Sequence, residues 1–244
     1  MNILVVNDDG INAKGIHILA KALKPYGDIF VVAPQTEQSG AAHSITLHDP
    51  MGLRICGDFM PGVNAWSLEG KPADCVKFAA FALDLKPDLV VSGINDGANL
   101  GTDIMYSGTV SGAFEGVILG IPSIAISTDF DHFDIVTREI DRVIAQVMNA
   151  DILDSDIVLN INFPSVIHTA SKGLRITHQG LRPFDHAYEF DGEKYWAKGT
   201  WYPYINDEAT DVYAFENGYI SITPLKTDRT DYDYLNQMKA KFNR

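Results

Sequence analysis

The chain has 244 residues, 46% apolar and 21% charged, enough for a sizeable core in one large α/β domain or one with an appendage. It carries 19 Lys and Arg against 32 Asp and Glu, a net charge of −13 that disfavours DNA or RNA polymers as partners but still admits a small anion held by a metal and backbone amides. Cys56 and Cys75 have no paired spacing, no segment is long and apolar enough to span a membrane, and the N-terminus lacks the basic region of a signal peptide, so a reduced cytoplasmic chain is expected.

Residues Met1 to Gly10, MNILVVNDDG, open on the apolar run Ile3-Leu4-Val5-Val6. A run this short and β-rich, followed at once by Asn-Asp-Asp-Gly, predicts a central strand buried on both faces. Where it ends, Asp8 and Asp9 leave the core together, and ligands of open α/β sheets bind outside the carboxyl ends of the strands. Two neighbouring carboxylates repel unless a cation lies between them or one is protonated. A hard divalent ion, Mg²⁺ or Mn²⁺, is one reading of this turn; a helix N-cap is the other.

Ala13 to Lys24 places Ile16, Leu19, Ala20 and Leu23 on one face of a helix stopped by Pro25. Asp28 to Ala33 is a second buried strand, ended by Pro34. This βαβ unit lacks a G-x-G-x-x-G turn after its first strand, so a dinucleotide fingerprint is missing where it belongs. Pro34 to Ser44, PQTEQSGAAHS, is a polar loop leaving the same sheet edge as Asp8 and Asp9. Ser39 either returns a hydroxyl to a metal or only turns the chain, and His43 is either an acid/base or phosphate contact or a structural histidine. The runs Ile45–Leu47, Leu53–Ile55 and Ala65–Leu68 predict a β excursion at one end of the sheet. Gly70-Lys-Pro-Ala-Asp74 opens a helix over Ala73 to Leu83, with Pro72 in its first turn and Asp74 at the positive end of its dipole.

Asp88 to Ser92 is the next buried strand, and it runs into Ser92-Gly-Ile-Asn-Asp-Gly-Ala-Asn-Leu-Gly101. Asn95, Asp96 and Asn99 emerge there beside Gly93, Gly97 and Gly101, where glycines permit close backbone approach and Asn carbonyls suit hard metals; a structural loop is the plainer reading. Ser107, Gly108 and Thr109 sit where a helix running to Leu119 begins, the arrangement of an anion site or of simple capping. Gly108, Gly112 and Gly116, four apart, predict that this helix lies very close to the sheet. A strand over Gly120–Ser127, an amphipathic helix over Phe133–Met148 and a core strand over Asp156–Ile161 complete a doubly wound, three-layer α/β/α unit. It is Rossmann-like, with a mostly parallel sheet, and spans residues 1–165. Beyond it Gly173–Thr177 is a strand, Tyr188–Phe215 is aromatic and polar like β arms or an interface, Tyr219–Pro224 is a strand able to rejoin the sheet, and Thr230–Asn243 is a terminal helix. Residues 166–244 are read as a C-terminal β-arm and helix extension of the same domain.

Seven segments in order, NDDG at 7–10, APQTEQSGAAHSIT at 33–46, GKPADCV at 70–76, VSGINDGANLG at 91–101, YSGTVSGA at 106–113, LNINFP at 159–164 and GYISITPL at 218–225, resemble the SurE family over nearly the whole chain. These are the stationary-phase survival proteins that act as 5′-nucleotidases. The resemblance implies a cytoplasmic, metal-dependent phosphomonoesterase that hydrolyses nucleoside 5′-monophosphates by metal-activated water, with one divalent cation, Mg²⁺ or Mn²⁺, per subunit. Position by position, Asp8, Asp9, Ser39 and Asn95 match the family's metal ligands. Asn99 matches the second Asn of its loop, and Ser107, Gly108 and Thr109 match its phosphate-side Ser-Gly-Thr. Catalysis is expected at Asp8, Asp9, Asn99 and Ser107, and phosphate binding at Asn99, Ser107, Gly108 and Thr109. A homodimer or homotetramer through the C-terminal region is also implied. Lys71 stands where many members have Thr, and Asp96 where many have a small residue; either alters substrate preference or pocket charge.

A phosphoaspartate route ranks low, because its nucleophile and acid are usually one residue apart and these two are adjacent. A receiver-like module needs an acceptor Asp where the strand at 88–92 ends in Ser-Gly-Ile-Asn. The alternative to an enzyme is a non-catalytic divalent-metal or nucleotide-binding regulatory module. The preferred base, action on 3′-nucleotides or polyphosphate, the ion, and dimer against tetramer stay open at this point.

Overall fold

The structure, a computed structural model, describes residues 1–202 and 204–242. β1 (Asn2–Val6) shows why the first apolar run is continuous. Its side chains alternate between two cores. Ile3 and Val5 join the cluster built with α1 (Lys14–Leu23) and α4 (Asp134–Asn149), while Leu4 and Val6 join the one built with α2 (Pro72–Phe81). All four are fully buried, so neither face can hold a polar residue.

The remaining strands are β2 (Asp28–Pro34), β3 (Leu53–Ile55), β4 (Asn64–Leu68), β5 (Leu89–Asp96), β6 (Ser123–Thr128), β7 (Val158–Asn162), β8 (Leu174–Ile176), β9 (Phe184–Phe190), β10 (Tyr195–Trp201) and β11 (Ile220–Leu225). With β1, eight of them form one nine-stranded sheet in the order β3-β4-β2-β1-β5-β6-β7-β11-β8. Only the β3–β4 and β7–β11 pairs are antiparallel. α1 and α4 cover one face. α2 and α3 (Gly108–Ile118) cover the other, which gives the expected three-layer α/β/α fold with a mostly parallel sheet. β9 and β10 form a separate two-stranded antiparallel hairpin, and α5 (Asp211–Glu216) and α6 (Tyr232–Phe242) follow it. The end of the expected terminal helix, Asn243, lies outside the described residues.

The glycine stripe on α3 does what its spacing predicts. A Cβ at Gly112 would stand 3.0 Å from Ser92 Oγ, and one at Gly116 would stand 2.3 Å from Ser123 Oγ and 2.9 Å from Val90 Cγ2. The helix therefore rides directly on β5 and β6. Two expectations differ in detail. Ile45–Leu47 is not a strand: the Thr46 amide donates to Asp74 Oδ1 at 2.9 Å instead of to a sheet neighbour. β4 is no excursion, since it pairs in parallel register with β2 and extends the main sheet. Beyond residue 165, β11 pairs with β7 from Ser221↔Asn162 to Leu225↔Val158, so the C-terminal segment adds strands to this same sheet.

Candidate active site

The strand order reverses at one place. From β1 the chain winds outward through β2 and β4, then returns to β5 on the other side of β1 and winds the opposite way. The crevice at the carboxyl ends of β1 and β5 is thus the topological switch point, where open α/β sheets bind ligands. A cavity of about 820 Å³ opens there. Asp8, Asp9, Ser39, Asn95, Asn99 and Ser107 all line it, so the structure brings six of the eight expected site residues to one wall. Gly108 and Thr109 do not line it; they stand behind Asp8.

Asp8 is buried, which pushes its carboxyl upward, opposed by the Thr109 hydroxyl and by the amides of Thr109 and Gly108. The Thr109 hydroxyl donates to Asp8 Oδ1. A Cβ on Gly108 would stand 2.8 Å from the Asp8 carboxylate, so only glycine lets the helix start this close. The positive end of α3 is therefore directed at a protein carboxylate. Asp9 is pushed up to about 7 by burial and by the Asp8, Asp96 and Glu37 charges, against the amide of Asp96, which donates to Asp9 Oδ2 at 3.1 Å.

Two crowded carboxylates of this kind fit a dication, whose charge offsets both their burial and their mutual repulsion. The rest of the donor set agrees. Asn95 donates Nδ2 to the Gly97 carbonyl at 2.7 Å, which leaves its Oδ1 unengaged. Ser39 lies on the exposed rim, where its hydroxyl donates to Glu37 Oε1 at 2.6 Å and keeps its lone pairs. Among the described residues no three His, Cys, Asp or Glu side chains are grouped to hold a metal, so an ion here draws on amide and hydroxyl oxygens beside the two carboxylates.

The loop that carries Ser39 is pinned at three points. Ala42 N donates to the Tyr106 carbonyl at 3.0 Å, His43 Nε2 pairs with Glu115 Oε2 at 2.9 Å, and Thr46 binds Asp74 through both its amide and its hydroxyl. Burial raises the Glu115 carboxyl, but the His43 hydrogen bond and the Lys77 ammonium outweigh it and hold it below its ordinary value. Glu115 and Asp74 thus brace the Ser39 loop from α3 and α2, through His43 and Thr46. Asp96 has a comparable role: its Oδ1 accepts the Asp131 amide at 2.7 Å and fixes the opposite lip.

Ser107 caps α3 by accepting from Val110 N at 3.0 Å, so its own proton is left for the cavity. Asn99 is held on every side: its amide donates to Asn162 Oδ1 at 2.8 Å, its carbonyl accepts from Asn160 and Asn162, and its Nδ2 donates to Ser127 Oγ at 2.8 Å. The far wall holds residues that no local pattern marks. Arg182 pairs with Asp103 at 2.9 Å and lies 4.3 Å from the Trp201 ring centre. Arg182 and Lys14 are the two cations that line a mostly acidic cavity, and Phe130, Phe133 and Tyr106 supply apolar surface. The C-terminal segment secures this wall through Asp211, whose carboxylate accepts the amides of Gly101, Gly180 and Val212 at 2.8–2.9 Å.

The family model described as survival protein SurE matches residues 3–186. The chain is 41% identical to the 5′-nucleotidase SurE of Alkaliphilus metalliredigens (strain QYMF) over 249 residues, covering 98% of each chain. It is 42% identical to the 5′-nucleotidase SurE of Aquifex aeolicus (strain VF5) over 248 residues, covering 97% of this chain and 96% of the relative. The crystal structure of the SurE protein from Aquifex aeolicus superposes with a TM-score of 0.81 at 39% identity, covering 98% of this chain and 99% of that one.

Proposed function

The chain belongs to the SurE family, and from that premise we propose the chemistry of its site. It is a 5′-nucleotidase, a metal-dependent hydrolase that converts nucleoside monophosphates to nucleoside and phosphate. One observation supports placing that reaction at the switch-point cavity: the paired carboxylates just after β1, the amides of Asn95 at the end of β5 and Asn99 beyond it, and the open hydroxyl at the start of α3 line a single space.

Phosphate monoesters resist hydrolysis, and catalysis comes from positioning and from neutralising charge. Asp8, Asp9, Ser39 and Asn95 would hold one divalent ion, Mg²⁺ or Mn²⁺, which when bound would polarise phosphoryl oxygens and make water a stronger nucleophile. The Thr109 hydroxyl and the amides at the start of α3 fix the Asp8 carboxylate in place. Asp9 orients the attacking water. Ser107 donates its free hydroxyl proton to a phosphoryl oxygen, and Asn99, with one Nδ2 hydrogen on Ser127, presents the other. Gly108 and Thr109 serve the phosphate indirectly, through Asp8. No helix among the described residues is long and apolar enough to cross a membrane, and Cys56 and Cys75 are free; the cytoplasmic location proposed here rests on the family resemblance. The exposed aromatic surface of the β9–β10 hairpin, Tyr188, Phe190, Tyr195 and Trp196, supports assembly as a homodimer or homotetramer.

The test is phosphate release from a panel of nucleoside monophosphates, with EDTA and then with Mg²⁺ or Mn²⁺ restored. Release that stops with EDTA and returns with one ion supports the site and identifies the ion. No release from folded protein under any ion favours the non-catalytic binding module.

A further inference from the structure

Four aromatic rings line the cavity, and they are not equivalent. Phe133 is 6% exposed and has the Lys14 ammonium 4.9 Å from its ring centre. Trp201 already carries the Arg182 guanidinium on its ring and meets Phe184 edge-on with centres 4.7 Å apart. Tyr106 directly precedes the capping Ser107, and its carbonyl holds the metal-side loop. Phe130 is different: it is 73% exposed, yet it is firmly placed.

Its support comes from three sides. The tip of the ring rests on Gly97, where an added Cβ would stand 2.9 Å from Cζ and 3.2 Å from both Cε atoms. The next amide, Asp131 N, donates to Asp96 Oδ1 at 2.7 Å. The preceding Asp129 accepts the Val166 amide at 2.8 Å and the Ser165 hydroxyl at 3.1 Å through Oδ2. A ring braced at its tip and on both chain neighbours, largely exposed and lining the cavity, has little rotamer freedom left to lose when something planar covers it. Gly97 also belongs to the loop that bears Asn95 and Asn99, so the platform and the phosphate-side donors share one rigid base.

We propose that Phe130 is the nucleobase platform of this site: the heteroaromatic base of a nucleoside monophosphate stacks on its open face while the phosphate lies toward Asp8 and Asp9. The inference rests on the nucleotidase reading and specifies how that site tells a nucleotide from a smaller phosphomonoester. Stacking is sequence-tolerant because every base has a π-face, so one ring serves several bases.

The experiment measures kcat/KM on AMP and on ribose 5-phosphate, which keeps the phosphoribosyl group and lacks the base, for wild type, Phe130→Ala and Phe130→Tyr with saturating metal. The expected result is a fall of about tenfold in the AMP to ribose 5-phosphate ratio for Phe130→Ala, carried by KM for AMP, and a ratio restored by Phe130→Tyr. Equal losses on both substrates would mean that Phe130 only braces the loop, and no loss on either would mean that the base lies elsewhere; both overturn the inference and leave the nucleotidase reading intact. Wild-type protein that cleaves neither substrate overturns the nucleotidase reading and this inference with it.

Discussion

Asp8 is the residue on which most of the site converges, since Thr109, Gly108 and the start of α3 all address it. Asp8→Asn keeps the shape and removes the charge, and phosphate release is expected to fall at least about a hundredfold; an unchanged rate would sink the assignment. Thr109→Val keeps the volume and removes one hydrogen bond to a charged group, for which a loss of roughly 1.5–3 kcal/mol in divalent-ion binding is expected, read by metal titration. Asp9 gives a pH signature in the metal-free protein. Its carboxyl sits at about 7 against an ordinary 3.8, so the folded state holds its proton more tightly than the unfolded one. Stability is therefore full below the lower value and declines as pH rises toward the upper one. Asp9→Asn should flatten that decline in urea melts at pH 5 and pH 8, and saturating Mg²⁺ or Mn²⁺ should do the same for wild type. The acidic pair and the Asn loop were legible as a site because each follows an apolar strand run directly. Thr109 was not legible as a partner of Asp8, since a hydroxyl two residues into a helix reads locally as a cap and its partner lies 101 residues away in sequence.

α3 shows what an element can disclose before its neighbours are known. Three glycines four apart announce a smooth face, and close approach to the sheet is the only packing that makes use of it. Gly116→Ala adds helix propensity of about 1 kcal/mol, yet it drives a methyl into Ser123 and Val90. Overpacking of this kind costs about 1–3 kcal/mol, so a net loss of stability is expected in denaturant melts, and a gain would show that the helix floats above the sheet. Strand existence was legible wherever β-branched residues ran together, as in Ile3–Val6 and Leu89–Val91, because burial on both faces leaves no room for polar alternation. The run Ile45–Leu47 has the same look and is no strand, because Asp74, far along the chain, takes the Thr46 amide. β-propensity reports a willingness to extend; it does not report who supplies the hydrogen bonds.

At the scale of the molecule, the C-terminal segment is joined to residues 1–165 by more than chain continuity. β11 completes the sheet beside β7, and Asp211 collects amides from two loops that are 79 residues apart, Gly101 and Gly180. Asp211→Ala leaves three buried donors unsatisfied, and a destabilisation of at least about 2 kcal/mol is expected, together with reduced turnover because the 99–103 wall loses its anchor. Thermal melts and a kcat measurement check the two parts separately. The rejoining strand was legible in Tyr219–Pro224, but the anchors were not: Asp211 looks like an ordinary first-turn acid, and Arg182 like a loop cation. The aromatic stretch was legible as an arm, and its part in the cavity wall was not. That part has a mechanical consequence. Strands of seven residues put the hairpin's tip roughly 23 Å from its root. The root is Arg182 on one side and Trp201 on the other, and both line the switch-point cavity. The hairpin is thus a lever whose short arm is part of the cavity wall, so torque applied at the distant tip would be delivered to the two side chains at its root.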